Sequence, residues 1–429
     1  MAAQTNKELR NKVMYQIFVR NFSKEGTFRA IEKKLDDIKN LGTDIVWFAP
    51  IHPIGIKNRK GKLGSPYAIS DYRAVNPEYG TLDDFKYIVE KIHEHSMKCM
   101  IDVVYNHTSP DSVLAKEHPE WFYHKPDGSF GNRVGDWTDI IDLDYSHKEL
   151  WDYQIESLKM WAKIVDGFRC DVAPLVPIEF WERARAEVEA VSPGCIWLSE
   201  SIDPGFIMTM RDMGLVAHSD CEMYRAFDVL YDYDIYGNLT DYVSGKGSLD
   251  DFADAINRQE YIYPDNYVKL RFLENHDQPR AAFLFPDEKA LRNATAFLYF
   301  QKGMTLIYAG QEMGISHLPN LFEKDPVIWR SKDNTDLTEL LKSLAEIKRD
   351  PLFADSTYRV KTYDENVLKA IHSRNGKKIV GIFSMKGQAG LVPINAPDGK
   401  YVNRIDGRSI EILHGYISID GEPIIINLK

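Results

Sequence analysis

The chain has 429 residues, 44% of them hydrophobic and 27% charged, with a formal net charge of -11. That composition fits one large globular domain with a smaller one, and it excludes a disordered, collagenous or low-complexity chain. The surplus of acid argues against nucleic acid as partner and favours neutral or cationic ligands.

In chain order, the opening MAAQTNKELRNK lacks the apolar stretch of a signal peptide, and no apolar run approaches the roughly 18 residues of a membrane span. VMYQIFVR (13–20) is the first strand candidate. Phe28, Ile31, Leu35, Ile38 and Leu41 follow at helical spacing until Gly42, and DIVWFAP (44–50) is the second strand. Thr81 and Asp84 form a capping box ahead of the apolar face Phe85, Ile88, Val89 and Ile92, which leads into CMIDVV (99–104). About 40 residues from His107 to Ser146 show no periodicity and are too long for a simple loop, so an inserted subdomain is expected there. Ser146 and Glu149 suggest a second capping box, for a helix through Trp161. Further strand candidates are 164–173, 195–201, 225–233, 267–274 and 304–310.

Eight strand-helix repeats without a glycine-rich phosphate turn predict a closed (β/α)8 barrel and not a doubly wound open sheet. Beyond about residue 350, short alternating runs broken by NG at 375 and DG at 398, 406 and 420 predict hairpins in a small antiparallel β domain that caps the barrel. The expected division is a catalytic barrel over 1–106 and 147–348, an inserted subdomain over 107–146, and a C-terminal β-sandwich over 349–429. Cys99, Cys170, Cys195 and Cys221 are scattered, which suggests reduced thiols and a cytoplasmic location. Nothing in the sequence sets an oligomeric state.

Chemistry in such a barrel sits at the C-terminal strand ends, where the following loops surround one cavity. Those ends carry Asp102, Asn106 and His107; Arg169 and Asp171; Glu200; and Asn275, His276 and Asp277. A single Asp at a strand end is usually a turn former or helix cap, but several converging acids are not explained that way. Asp102, inside an apolar run, reads as a buried group that needs hydrogen-bond partners. Carboxylates without a reactive thiol or serine elbow suit glycoside hydrolysis. A metal-dependent hydrolase is disfavoured, because the histidines are isolated and no HxH or HExxH spacing occurs.

At these residues the sequence resembles the α-amylase family, glycoside hydrolase family 13. DVVYNH (102–107), GFRCDVA (167–173), LSES around Glu200 and ENHD (274–277) are similar to its four motifs, in order, and SPYAISDY (65–72) resembles its sugar-stacking segment. The resemblance implies Asp171 as nucleophile helped by Arg169, Glu200 as general acid and base, and Asp277 as third acid. It also implies sugar contacts from His107 and His276 and stacking by Tyr67. The implied activity is retaining hydrolysis of α-1,4-glucosidic bonds in maltodextrins or starch-type α-glucans. An α-glucan transglycosylase, or an exo-acting α-glucosidase or oligo-1,6-glucosidase, is the alternative on this scaffold. A non-catalytic glycan-binding relative is remote, since decay would be expected to remove one of the three acids.

No cofactor is needed for this chemistry. Asn106 stands at the position of a family calcium ligand, but VAPLVP (172–177) replaces the Lys-His pair that many members place after the nucleophile, so no metal ligands are assigned. Asp136, Asp139, Asp142 and Asp144 read as turn and solvation residues, with a cation site the lesser option. Trp121, Tyr123 and Trp137 suit either sugar stacking or the core of the insertion. Glu274 and Asn275 are expected to hold their neighbours, and Arg280 to brace the loop.

Overall fold

Side chains alternate in and out along eight short parallel strands, and that period builds the interior of the molecule. In the computed structural model, which describes residues 4–329 and 334–428, the strands are β1 Val13–Ile17, β2 Ile45–Phe48, β3 Lys98–Val103, β4 Gly167–Cys170, β5 Ile196–Ser199, β6 Val229–Tyr231, β7 Lys269–Arg271 and β8 Met304–Tyr308. The first three residues of the opening segment lie outside the described part. β1 pairs in parallel with both β2 and β8, which closes the predicted barrel.

Met14, Ile45, Trp47, Met100, Leu198, Val229, Leu270, Met304 and Leu306 belong to one buried inner cluster. The intervening Val46, Ile101, Phe168, Trp197 and Ile307 pack in the outer cluster with the helices. Gly167 faces the crowded axis, where an added Cβ would come within 2.6 Å of the Ile196 carbonyl oxygen and 3.0 Å of Met100. Ascending the barrel, the inward positions change from apolar to polar: Met14 to Gln16, Met100 to Asp102, Gly167 to Arg169 and then Asp171, Leu198 to Glu200. The sequence period therefore delivers these polar groups to one end of the barrel.

The polar face of β7 points the other way, into the layer between barrel and helices. Lys269 is fully buried and hydrogen-bonds Asp234 Oδ1 at 2.8 Å, the Tyr231 carbonyl at 3.1 Å, and Asp220. Arg271 donates to both Asp232 oxygens at 2.8–2.9 Å, to Gln259 Oε1 at 2.7 Å and to the Lys302 carbonyl at 2.9 Å. These two cations tie β7 to the starts of the helices Asp220–Met223 and Tyr233–Val243 and to the helix Leu249–Ile262.

Local expectations met mixed outcomes. The Thr81–Asp84 box forms, with Asp84 N–H donating to Thr81 Oγ1 at 3.1 Å and Thr81 N–H to Asp84 Oδ2 at 2.9 Å. The Ser146–Glu149 box does not: the helix starts at Lys148 after His147, without a side-chain cap. Asp144, two residues before Ser146, captures the Ser146 N–H at 3.0 Å and makes a local turn instead. The first strand stops at Ile17, because Val19–Phe22 coils into a helical turn that places Arg20 among loop carbonyls.

The tail forms β9 Thr357–Thr362, β10 Val367–Arg374, β11 Lys377–Ser384, β12 Ala389–Pro393, β13 Gly399–Val402, β14 Ser409–Leu413, β15 Tyr416–Asp420 and β16 Ile424–Leu428. Two four-stranded sheets, ordered β9-β10-β11-β16 and β12-β15-β14-β13, enclose a shared core that includes Val380, Ile382, Ile412, Ile417 and Ile426. Phe383 carries the first sheet onto the helix Glu288–Phe300, with ring centroids 5.3 Å from Phe297 and 5.4 Å from Phe300.

Asn375-Gly376 makes the predicted tight hairpin, with φ of 51° and 80°. Asp406-Gly407 lies in a longer hairpin loop. Asp420-Gly421 instead crosses between the sheets, and Asp398-Gly399 is no hairpin at all. Asp398 accepts the N–H groups of His414 and Gly415, which make a tight hairpin with His standing where Asn or Asp is usual.

Replacing Lys269 with Met leaves Asp220 and Asp234 buried without their cation. The expected loss is about 3–5 kcal/mol of stability, measured by urea denaturation at neutral pH; an unchanged midpoint would show that the network contributes little.

Candidate active site

Arg169 is the centre of the site. Its guanidinium is fully buried and donates from Nη1 to Asp102 Oδ1 and Oδ2 at 2.9 and 3.0 Å, and to Asp171 Oδ1 at 2.7 Å. Nη2 lies 2.7 Å from Glu200 Oε1, but its N–H bonds are not aimed at that oxygen, so this contact is a close electrostatic approach and not a hydrogen bond. The Trp47, Tyr67 and Tyr231 rings surround the cation at 5.4–5.6 Å.

One guanidinium cannot balance three carboxylates in a low-dielectric interior, so protons that solvent-exposed carboxyls would lose are retained. Burial pushes Glu200 up to about 8, with Asp171 and Asp277 adding to the effect, against the pull of Arg169. Burial also pushes Asp102 up to about 8. The two differ in access. Asp102 is sealed and also accepts the Tyr67 hydroxyl at 3.1 Å, whereas Glu200 lines a cavity. Glu200 Oε2 accepts the Val172 N–H at 2.8 Å. Val172 has φ 35° and ψ 39°, left-handed backbone that a β-branched residue rarely adopts, and this conformation accompanies the turn that follows Asp171.

Across the cavity, His276 Nδ1 lies 2.8 Å from Gln16 Nε2, and its Nε2 lies 2.6 Å from the Tyr67 hydroxyl and 3.0 Å from Asp277 Oδ2. These contacts join Gln16, His276, Tyr67 and Asp277 into one polar chain beside the cavity. Asp277 opens onto the cavity with 41% of its side chain accessible. Burial opposes its charge, but His276 outweighs burial and holds Asp277 below the usual carboxylate range. Tyr67 stacks on His276 with centroids 5.2 Å apart.

Asn275 Oδ1 accepts the Asp277 N–H at 2.8 Å, and its Nδ2 donates to Tyr233. Glu274 accepts from Arg280 Nη1 at 2.6 Å and from the Ala281 N–H, so both residues brace the loop as expected.

The cavity, of about 310 Å³, is lined by Tyr67, His107, Asp171, Glu200 and Asp277, with Arg169 and His276 immediately behind. The structure therefore brings all seven expected residues together. It also adds partners that the strand-end reading did not name: Gln16, Trp47, Tyr231, Lys60 and Phe322. Gln16 was findable, as a lone amide on the inward side of an apolar strand. Lys60 and Phe322 lie far apart in loops without a pattern. The three insertion aromatics divide. Trp137 lines the cavity beside His107, at 5.7 Å between centroids, while Trp121 is buried against His118 and Tyr123 lies under the Arg133 guanidinium.

The residues near Asn106 do not fit a calcium ion. Asn106 Nδ2 faces His107 Nδ1 at 3.1 Å, and Asp142 Oδ2 accepts the Arg133 N–H at 2.7 Å. The Arg133 guanidinium lies 3.6 Å from that same oxygen and donates to the Leu143 carbonyl at 3.3 Å, so a positive charge already stands there. Of the fully buried side-chain oxygens among the described residues, Asp142 Oδ1 lacks a protein partner, which falls short of the shell of six to eight oxygens that calcium requires. Among the described residues, no group of three or more His, Cys, Asp and Glu is placed to share an ion.

The family model of the α-amylase catalytic domain matches residues 14–358, and that of the bacterial α-amylase C-terminal domain matches 359–426. The chain belongs to the α-amylase family. Within that family, the solved structure of an α-amylase from Lactobacillus plantarum is 46% identical, covering 99% of this chain and 100% of its own, with a TM-score of 0.96. A maltogenic α-amylase from Thermotoga neapolitana is 33% identical over 98% of this chain and 99% of its own, with a TM-score of 0.88. A curated α-amylase from Haloarcula japonica is 29% identical over 354 residues; the match takes 79% of this chain and about half, 49%, of that longer enzyme. Among the described residues of this family member, no helix is long and apolar enough to cross a membrane.

Holding Glu200 above its ordinary value of 4.5 has a stability cost. Unfolding releases its proton between that value and about 8, so the carboxyl subtracts more stability as pH rises through this window. Glu200→Gln is therefore expected to raise Tm by a few degrees, and by more at pH 8 than at pH 5, in calorimetric scans; a lower Tm at pH 8 would contradict this.

Proposed function

We propose that the protein is a retaining glycoside hydrolase acting on α-1,4-glucosidic bonds of maltodextrins and starch-type α-glucans. The observation that carries this reading is the pair of carboxyls, Asp171 and Glu200, on the two terminal nitrogens of one guanidinium. That arrangement favours the short carboxyl separation of a double displacement over the wider gap of an inverting enzyme.

Asp171 attacks the anomeric carbon while Glu200 gives its proton to the departing glycosidic oxygen, forming a β-glycosyl ester. Glu200, now anionic, takes a proton from water. That water attacks the same carbon, Asp171 leaves, and the α configuration is restored. Asp277, kept ionised by His276, accepts from sugar hydroxyls and stabilises the oxocarbenium-like transition state. His107 and His276 contribute hydrogen bonds to the sugar, and Tyr67 offers its ring face. Arg169 Nη1 donates to Asp171 Oδ1, which orients that carboxyl and stabilises it as a leaving group.

Asp171→Ala is expected to lower kcat on maltoheptaose by about 10⁴-fold or more, and activity surviving in that variant would remove Asp171 as nucleophile. Because Glu200 must carry its proton at the start of each cycle, kcat/KM is expected to fall as pH rises past about 8. A flat alkaline profile would argue against Glu200 as the acid.

The Arg133 charge beside Asp142 supports a fold and activity independent of calcium. Treatment with EDTA is expected to leave Tm and turnover unchanged; a drop that added calcium restores would overturn this. Four free cysteines, three of them buried, support a reducing compartment such as the cytoplasm.

A further inference from the structure

On the side of the barrel away from Glu200, the cavity is lined by loops. In an eight-stranded ring the strand opposite β5 is β1, and the loops that follow β8 and β2 flank it. Those two loops supply Phe322 and Lys60, both of which line the cavity. The insertion after β3 completes the wall with Asp139, whose Oδ1 lies 3.1 Å from Lys60 Nζ. Asp139 is almost fully buried, while Lys60 keeps 37% of its side chain accessible.

This wall is held at several points. Ile56 and Lys57 donate their N–H groups to Asp111 of the insertion, at 3.0 and 3.3 Å. Leu63 N–H donates to the Phe322 carbonyl at 3.0 Å, and Lys62 N–H to Glu323 Oε1 at 2.9 Å. Behind it, buried Arg20 bonds the carbonyls of Leu63, Gly64 and Leu321 and pairs with Glu78. Gly61, at φ 64°, lets the loop press on Phe322, where a Cβ would come within 2.7 Å of the Phe322 Cβ. Three segments distant in sequence are thus joined into one preorganised barrier.

The direction of the substrate follows from the chemistry. Glu200 protonates the leaving oxygen, so the leaving part of the glucan lies on its side of the cavity. The non-reducing side of the sugar bound at Asp171 then faces the Lys60 wall. An internal cut would require further glucose units to pass through that wall.

We infer that Lys60, Asp139 and Phe322 form a blind end that recognises the free non-reducing terminus of an α-glucan, so that the enzyme acts on chain ends. This rests on the hydrolase reading above. The ammonium has donors beyond the one that faces Asp139, and the carboxylate has acceptor capacity beyond one oxygen, so the pair suits terminal hydroxyls. A hydroxyl converted to a glycosidic or acetal oxygen loses its proton and gains bulk, and the site rejects it on both counts.

The test compares maltoheptaose with maltoheptaose whose non-reducing glucose carries a benzylidene acetal. Products are followed by chromatography from the earliest time points. The wild type is expected to release one short product from the free substrate and to turn over the capped one about a hundredfold more slowly or worse. Lys60→Ala and Asp139→Ala, each confirmed folded by its thermal melt, are expected to raise the capped-to-free ratio at least tenfold.

Mixed product lengths at early times, or equal wild-type rates on both substrates, would overturn the inference while leaving the hydrolase reading intact. An unchanged ratio in both variants would remove Lys60 and Asp139 from the wall's function. Failure to cleave free maltoheptaose would defeat the hydrolase reading itself, and the blind end with it.

Discussion

One buried cation, Arg169, sets the terms for the whole upper half of the barrel. Asp102, Asp171 and Glu200 all approach it, and only Asp102 is bound through both oxygens to one nitrogen. The surrounding rings of Trp47, Tyr67 and Tyr231 exclude water and strengthen every interaction within. Below lies a packed apolar plug, so the guanidinium has nowhere to go but up, towards the carboxylates. The excess of negative charge leaves protons on groups that would otherwise lose them, and a proton held at the cavity edge is one that can be transferred.

The second buried charge system, on the outer face of β7, follows the same physics to a different end. Lys269 and Arg271 meet Asp220, Asp232 and Asp234, nearly charge for charge, with Gln259 and backbone carbonyls filling the remaining geometry. None of these groups lines the catalytic cavity. The network joins helices to the barrel wall, with Arg271 Nη2 left without a hydrogen-bond partner. The two clusters sit on opposite sides of the same wall. What separates structural from reactive charge here is access to the cavity.

Above the strands, the cavity wall is assembled from loops that share no sequence pattern. Arg20, in the helical turn after β1, gathers the loops after β2 and β8, and Asp111 fastens the insertion to the loop after β2. The charge carried by Arg133 inside the insertion lets Asp142 stay buried beside Asn106. The acids that converge on the cavity thus occupy strand ends, while the groups that complete its wall occupy the loops around them.

By itself the sequence determined the barrel, the β tail and the convergence of Asp171, Glu200 and Asp277. Alternation with period two and helical repeats with period 3.6 are local properties, and they carry the inward polar positions to one rim. It also revealed Glu274, Asn275 and Arg280 as supports, because their neighbours were already placed. Only the tertiary structure decided that Ser146 caps no helix, its N–H being held by Asp144 in a local turn, and that His414-Gly415 and not Asp398-Gly399 makes a hairpin. It likewise decided that β7's cations face outward to carboxylates from other elements, and that Lys60, Asp139 and Phe322 meet. Each of those outcomes depends on a partner brought in by chain closure from elsewhere, or on competition between adjacent polar groups for the same N–H, and neither leaves a periodic signal along the chain.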